Sequence, residues 1–249
     1  MGQEVMRTIA SADDVELAGV WLRRGGILEP EQHPAATASD NLEEVLRSAD
    51  VAIDFSLPGA TSQILDTAEK LATPLVCGVS GLDESTNLLM QRAASAIPLL
   101  YDRNMSLGVA VLKDLVGRAA ARLGESFAAE IRETHHAHKK DAPSGTALVL
   151  GEVLARSRNQ NFADVMRYEP GGRAGRRAAS DIVFRVTRQG EVPGEHTVEF
   201  RSDDESLELR HRVTDRRVFA TGALQAARWL VRQKPGLYRM SDFLANNTA

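Results

Sequence analysis

Along the first hundred residues the apolar positions switch repeatedly between helical and strand periods. Val5, Met6 and Ile9 fall on one side of a helix over residues 3–10, and after Asp13-Asp14 the run Val15–Leu22 reads as a strand. A short helix over Leu42–Leu46, a buried strand over Val51–Phe55, a helix over Thr61–Leu71 and a buried strand over Leu75–Val79 come next. A helix over Leu88–Ala96 and a strand over Leu99–Tyr101 complete the series. Strands alternating with helices at this spacing predict a parallel sheet covered on both faces, an α/β architecture of the Rossmann-like, nucleotide-binding type. In such a sheet ligands bind beyond the carboxyl ends of the strands. Asp54-Phe55-Ser56-Leu57-Pro58-Gly59 follows one strand and Gly78-Val79-Ser80-Gly81 the next, so a cofactor is expected at those loops, although each alone is an ordinary turn.

After Leu107 the character changes. Gly108–Leu123 is a helix with Val109, Leu112, Leu115 and Val116 apolar, and Ala128–Glu133 is a strand running straight into a histidine-rich loop. Ile182–Arg188, Thr197–Arg201 and Leu207–Val213 alternate as antiparallel strands do, which predicts a second, α+β region with an open mixed or antiparallel sheet. Residues 168–179, with Gly171-Gly172-Arg173-Ala174-Gly175-Arg176-Arg177, read as a flexible basic crossover rather than a phosphate cradle. An amphipathic helix over Gly222–Arg232 and a short segment over Tyr238–Leu244 close the chain.

Composition narrows the classes. With 249 residues, 43% of them hydrophobic and 26% charged, the chain can bury a substantial core as one large or two smaller domains. A net charge of -4 gives no electrostatic reason to expect nucleic acid or an anionic membrane. No apolar run approaches a membrane span and no signal-peptide pattern opens the sequence, so a membrane partner is not expected. The single Cys77 excludes an internal disulfide and suits a reducing cytoplasm; in its apolar run it reads as a buried small hydrophobe, not a nucleophile.

The densest chemistry lies between Glu133 and Thr146. Three of the six histidines, His135, His136 and His138, fall within four residues and are followed by Lys139, Lys140 and Pro143-Ser144-Gly145-Thr146. Ala147, Leu150, Val153 and Leu154 then recur at helical spacing, so Ser144-Gly145-Thr146 begins a helix. The amides of a first helical turn, with the hydroxyls of Ser144 and Thr146, make a seat for a carboxylate or phosphate. Histidine, ionising near neutrality, supplies an acid or base beside it. A solvated basic loop is the plain alternative; the coincidence of acid, cations and capping hydroxyls favours a catalytic loop. A metal site is not expected, because His135 and His136 point to opposite faces of an extended strand and the scattered acids offer no evident ligand set.

The run His135-His136-Ala137-His138-Lys139-Lys140-Asp141-Ala142-Pro143-Ser144-Gly145-Thr146-Ala147 closely resembles the signature of the 4-hydroxy-tetrahydrodipicolinate reductase family, also called dihydrodipicolinate reductase, of bacterial lysine and diaminopimelate synthesis. Further matches lie at Asp54-Phe55-Ser56, Gly78-Val79-Ser80-Gly81, Asn104-Met105-Ser106-Leu107-Gly108-Val109, Gly194-Glu195-His196-Thr197 and Phe219-Ala220-Thr221-Gly222-Ala223, so the resemblance spans nearly the whole chain. It implies hydride transfer from NADPH or NADH to a cyclic unsaturated dicarboxylate imine, with loss of water. His135 is the implied general acid and Lys139 the implied holder of a substrate carboxylate and partner in proton donation. His136, Ser144, Gly145 and Thr146 complete the carboxylate seat. On the cofactor side the resemblance implies Phe55 and Ser56 along the dinucleotide, and Gly78, Val79 and Ser80, with Asn104, Met105 and Ser106, at its nicotinamide end. Arg23-Arg24 follows the first strand, where arginine suits a 2′-phosphate and an acid would suit NAD; read so, it favours NADPH over NADH, and the other reading is a pair of surface charges. The resemblance also implies that the C-terminal segment returns to the first domain. The expected division is therefore a dinucleotide-binding domain of 1–105 and 217–249 and a substrate-binding and oligomerisation domain of 106–216, assembled as a homotetramer through the second domain's sheet. Glu195-His196 reads as a structural or subunit-contact pair outside the site.

One departure stands out. The family opens on a strand and a Gly-x-x-Gly-x-x-Gly turn, of which Met1-Gly2 matches only the last two residues. Gly2 is then the remnant of a pyrophosphate cradle. Two expectations follow: a start placed at an internal methionine of that turn, or a cofactor-defective paralogue that binds a dicarboxylate without reducing it.

Overall fold

The structure, a computed structural model, describes residues 1–22, 36–168, 178 and 180–246. Arg23, Arg24 and most of the glycine-rich basic stretch lie outside the described residues. Internal contacts divide the chain into one unit of Met1–Leu107 with Arg217–Ala249, and a second of Gly108–Arg216.

The chain enters the first unit through α1 (Gly2–Ala10), then β1 (Gly19–Trp21) and β2 (Thr37–Ser39), which pair in parallel as a two-stranded sheet. The strand expected from Val15 is confined to its last three paired residues. Next come α2 (Leu42–Arg47), β3 (Ala52–Asp54), α3 (Pro58–Leu71), β4 (Leu75–Cys77), α4 (Glu84–Ala94) and β5 (Pro98–Tyr101). Two helices begin ahead of their apolar periods because caps, not apolar residues, start them. Pro58 opens α3, where its missing N–H costs nothing, and the Asp83 carboxylate accepts the Thr86 N–H at the start of α4.

The second unit contains α5 (Leu107–Leu123), a 3₁₀ turn at Gly124–Ser126, β6 (Ala128–His135), α6 (Gly145–Ser157), α7 (Phe162–Val165), β7 (Met166–Tyr168), β8 (Ile182–Arg188), β9 (Gly194–Arg201) and β10 (Ser206–Val213). Its sheet has the order β10-β9-β6-β8-β7. It is mixed: β8 runs parallel to both β6 and β7, whereas β9 is antiparallel to β6 and to β10. Alternation along a strand reports a half-buried sheet and says nothing of strand direction, which is why an antiparallel β8 was the wrong expectation. Ala129 and Ile131 of β6, Ile182 and Phe184 of β8, and Val198 and Phe200 of β9 share one face. They pack there against Leu112, Val116 and Ala120 of α5 and Ala147, Leu150 and Leu154 of α6. The other face is charged. Arg132 donates to Glu199 (3.0 Å) and Glu208 (2.7 Å), and Arg185 pairs with Glu130 (2.9 Å).

The chain then returns through α8 (Arg217–Leu230), β11 (Gly236–Tyr238) and α9 (Met240–Asn246). β11 pairs in parallel with β5 and completes a four-stranded sheet ordered β11-β5-β4-β3. α8 packs on α1 and the sheet through buried Ala220, Gly222, Ala223, Ala226 and Ala227, small residues that let the backbones approach. No helix among the described residues is long and apolar enough to cross a membrane.

Candidate active site

The site in the second unit grows out of strand parity. Successive side chains on a strand alternate faces, so the apolar face of β6 continues from Ala129 and Ile131 to Glu133 and His135. On β8 the same face runs Ile182, Phe184, Val186, Arg188, and on antiparallel β9 it runs Phe200, Val198, His196, Gly194. The register pairs Glu133 with His196 across β6 and β9, and His135 with Arg188 across β6 and β8. Three apolar stripes thus turn polar at one end of the sheet. The N-terminus of α6 begins there with Ser144.

Ser144 is the N-cap of α6. Its hydroxyl accepts the Ala147 N–H (3.2 Å) and lies 3.1 Å from His196 Nε2, while its own N–H donates to Glu133 Oε1 (2.9 Å). Arg188 donates to the same Glu133 oxygen (3.1 Å) and to the carbonyls of Lys139 (3.3 Å) and Asp141, tying the loop to β8. His135 Nδ1 lies 3.1 Å from Glu133 Oε2, and its ring meets His196 edge-on with centroids 5.1 Å apart. A Cβ on Gly194 would stand 3.2 Å from His135 Nε2. His135, His196 and Glu133 are all buried.

The electrostatics follow from this packing. Burial pushes the Glu133 carboxyl upward, but contacts with His135, Ser144 and Arg188 outweigh it and bring the group down to about 2, so it is an anion at neutral pH. Burial, reinforced by the neighbouring His135, takes His196 down to about 3 and keeps its ring neutral. Glu133, His135 and His196 each bring a ligand atom within 4.8 Å of the others, a grouping the sequence did not suggest. The carboxylate already carries a guanidinium and Ser144 faces His196 Nε2, so the set is a hydrogen-bonding network rather than a vacant coordination shell.

Other expected residues are placed as follows. Lys139 is largely buried, with its ammonium 2.8 Å from the Asp141 carboxylate. His136 is half-buried with its ring centroid 6.3 Å from that of His138, and Gly145 and Thr146 open the first turn of α6. His138 is exposed and faces Glu191 at 3.7 Å. His135 ends β6 instead of lying in the following loop. Glu133, Arg188 and His196 were not expected in the site; the alternation through Ile131-Glu133-His135 and Val198-His196 is the signal that finds them.

The first unit presents its candidate loops at the carboxyl ends of parallel β3, β4 and β5. Asp54 turns inward, accepting the Ser56 N–H (2.7 Å) and the Thr61 hydroxyl (3.3 Å), and Asn104 accepts the Ser106 N–H (2.9 Å). These local turns go with burial of the nearby acids Asp54 and Asp102. Gly78 lies directly under Phe55: a Cβ there would lie 2.4 Å from the Phe55 ring, which would have to move. Val79 and Met105 bury their side chains in the core, which leaves only their backbones to meet a ligand, whereas Ser80 is exposed. Glycine and serine turns with their carboxylates buried fit an anionic dinucleotide. Gly2 opens α1 with open space around it.

Comparison with known proteins gives one answer across the chain. The family model described as "Dihydrodipicolinate reductase, N-terminus" matches residues 1–105, and "Dihydrodipicolinate reductase, C-terminus" matches 108–244. The 4-hydroxy-tetrahydrodipicolinate reductase of Wolinella succinogenes is 41% identical over 245 residues, 98% of this chain and 94% of that protein. The enzyme of the same name from Campylobacter jejuni is 45% identical over 204 residues, covering 82% and 84% of the two chains. A dipicolinate-bound dihydrodipicolinate reductase from Paenisporosarcina sp. TG-14 superposes with a TM-score of 0.76 at 21% identity, over 96% of this chain and 92% of that one, and so shares the fold.

Proposed function

The chain belongs to the dihydrodipicolinate reductase family, and we propose that it reduces 4-hydroxy-tetrahydrodipicolinate to tetrahydrodipicolinate with His135 as proton donor. It is a pyridine-nucleotide oxidoreductase of lysine and diaminopimelate biosynthesis. The observation that carries the assignment of roles is the buried polar cluster in which His135 and Glu133 meet the Ser144-capped N-terminus of α6.

The substrate is a dianionic ring, and the residues divide its recognition. The first turn of α6, at Ser144, Gly145 and Thr146, offers the positive end of the helix to one carboxylate. Lys139, released from Asp141 by a competing carboxylate, holds it by a charge-assisted bond and keeps a second proton near. His136 completes the seat. The 4-hydroxyl leaves as water, hydride adds to the ring carbon that carried it, and His135 gives its proton to the ring carbon beside it. When bound, the nicotinamide supplies hydride. Phe55, Ser56, Gly78, Val79, Ser80, Asn104, Met105 and Ser106 would form its site, with Gly2 toward the phosphates; Arg23-Arg24, as residue types, favour NADPH, with NADH also accepted. The charged outer face of the second unit's sheet would be the surface that joins four copies, and the buried single thiol suits a cytoplasmic protein.

Calorimetric titration with NADPH and NADH, with and without pyridine-2,6-dicarboxylate, followed by a nucleotide-oxidation assay on the substrate, tests this reading. Turnover with both nucleotides, tighter binding of NADPH and loss of turnover in His135→Gln are expected. Dicarboxylate binding without nucleotide binding would overturn it. Sedimentation analysis tests the tetramer.

A further inference from the structure

Among the groups that the reaction does not itself require, the Glu133 carboxylate is the most constrained. It is 2% exposed, ionised, and shared among three elements. We propose that Glu133 is the positioning residue of the site: one oxygen orients the His135 ring through Nδ1, while the other fixes the Ser144 amide and Arg188, so that one buried anion sets the proton donor and the carboxylate seat together.

Several observations converge on this. Glu133 Oε2 and His135 Nδ1 are both inaccessible to solvent, lie 3.1 Å apart and have no hydrogen bond elsewhere. Two buried polar atoms in that situation each cost the protein unless they serve one another. The opposite nitrogen, Nε2, faces Gly194, where a Cβ would crowd it at 3.2 Å. With Nδ1 held by Glu133, Nε2 is the nitrogen left to deliver a proton. On its other oxygen Glu133 accepts the Ser144 N–H at 2.9 Å and Arg188 at 3.1 Å. Arg188 in turn holds the Lys139 and Asp141 carbonyls, so the carboxylate also sets the position of the loop carrying Lys139. His196, neutral, packs edge-on against His135. The charged and titratable groups around His135 are thus Glu133 on its own strand, Arg188 on β8, His196 on β9 and Lys139 on the loop. Of these only Glu133 is an anion; His196, which also touches the His135 ring and the Ser144 hydroxyl, is neutral.

The inference rests on the assignment of His135 as proton donor, and the test separates the two. Glu133→Gln keeps the shape but has one acceptor oxygen where two are needed. It is expected to lower kcat about 10- to 100-fold, as loss of an orienting partner does, and to weaken pyridine-2,6-dicarboxylate about tenfold, with nucleotide affinity unchanged as the control for folding. Glu133→Asp, which keeps the charge, is expected to recover part of both. His135→Gln, run in parallel, should lower kcat with little change in dicarboxylate affinity. If His135→Gln falls as expected while Glu133→Gln keeps both kcat and dicarboxylate affinity within about twofold, the positioning role is overturned and the donor stands. If His135→Gln keeps its turnover, the donor assignment fails instead. Independently of any change at position 133, nitrogen NMR of the histidine rings should show neutral His135 as the Nδ1–H tautomer, its signals identified by their loss in His135→Gln; an Nε2–H tautomer would overturn the proposal.

Discussion

The two units hold their candidate ligands by opposite means. In the first, loops after short parallel strands are shaped by what is missing: no Cβ at Gly78 or Gly222, and acids turned inward as turn acceptors at Asp54 and Asp102. In the second, long strands and a helix cap gather buried charge, with Glu133, Arg188 and Ser144 committed to one another before any ligand arrives. A site made of backbone is defended by steric exclusion and should fail by distortion. One made of buried ions is defended by pairing, and should fail when a partner or a proton is changed.

The sharpest way to break this contrast is Gly222→Ala. Its Cβ would fall 1.8 Å from the Met105 carbonyl, so α8 or the 104–106 loop must move. A loss of about 3 kcal/mol from the first unit is expected, with nucleotide binding abolished and pyridine-2,6-dicarboxylate still bound by the second unit, both read by calorimetry. Equal loss of both ligands would show that the units do not fail separately. Next in size is Lys139→Ala. Removing one charge-assisted bond of about 1.5–3 kcal/mol should raise KM for the dicarboxylate substrate and lower kcat, leaving the nucleotide Kd alone.

Acid should find the second unit first. His196 is depressed from 6.5 to about 3 in the folded protein, so between those values the unfolded chain binds about one more proton. Stability gained above pH 6.5 is then lost as pH falls, at about 1.4 kcal/mol per pH unit. Glu133, depressed from 4.5 to about 2, adds a further loss only below pH 4.5. Denaturant melts across pH 4.5–6.5 should show the slope, and His196→Gln should flatten it. The smallest effect belongs to the first unit. Burial, with the charge of Asp54 beside it, pushes the Cys77 thiol up to about 12, so iodoacetamide at mildly alkaline pH should leave the native thiol intact and label it only on unfolding. Labelling that is as slow after acid treatment as before it would separate the two units' responses.

Much of this contrast was legible in the sequence, and the exceptions have physical reasons. The alternating α/β period, the mixed or antiparallel second sheet and the His135–Thr146 segment could be read from residue order, because apolar period and helix-start chemistry are local. Helix starts at Pro58 and Glu84 were read late because periodicity sees buried faces and not caps. The parallel pairing of β8 with β6 was missed because alternation is the same in either direction. His196 and Arg188 were left outside the site because each is brought to His135 by a strand pairing, and nothing adjacent in sequence announces it. Glu133 was passed over for a simpler reason: the strand was ended one turn of alternation early, before His135 could be seen to share its face.

The central strands β6, β8 and β9 carry two messages in one reading frame. Odd positions of β6 write the apolar packing and then the acid, while even positions write the charged ladder of Glu130 and Arg132 on the other side. A substitution at one set leaves the side chains of the other on their own face. A single-residue insertion or deletion within these strands does not. It would exchange the two messages at a stroke, turning His135 outward and Arg132 into the core, which makes length, more than identity, the property that inheritance must preserve here.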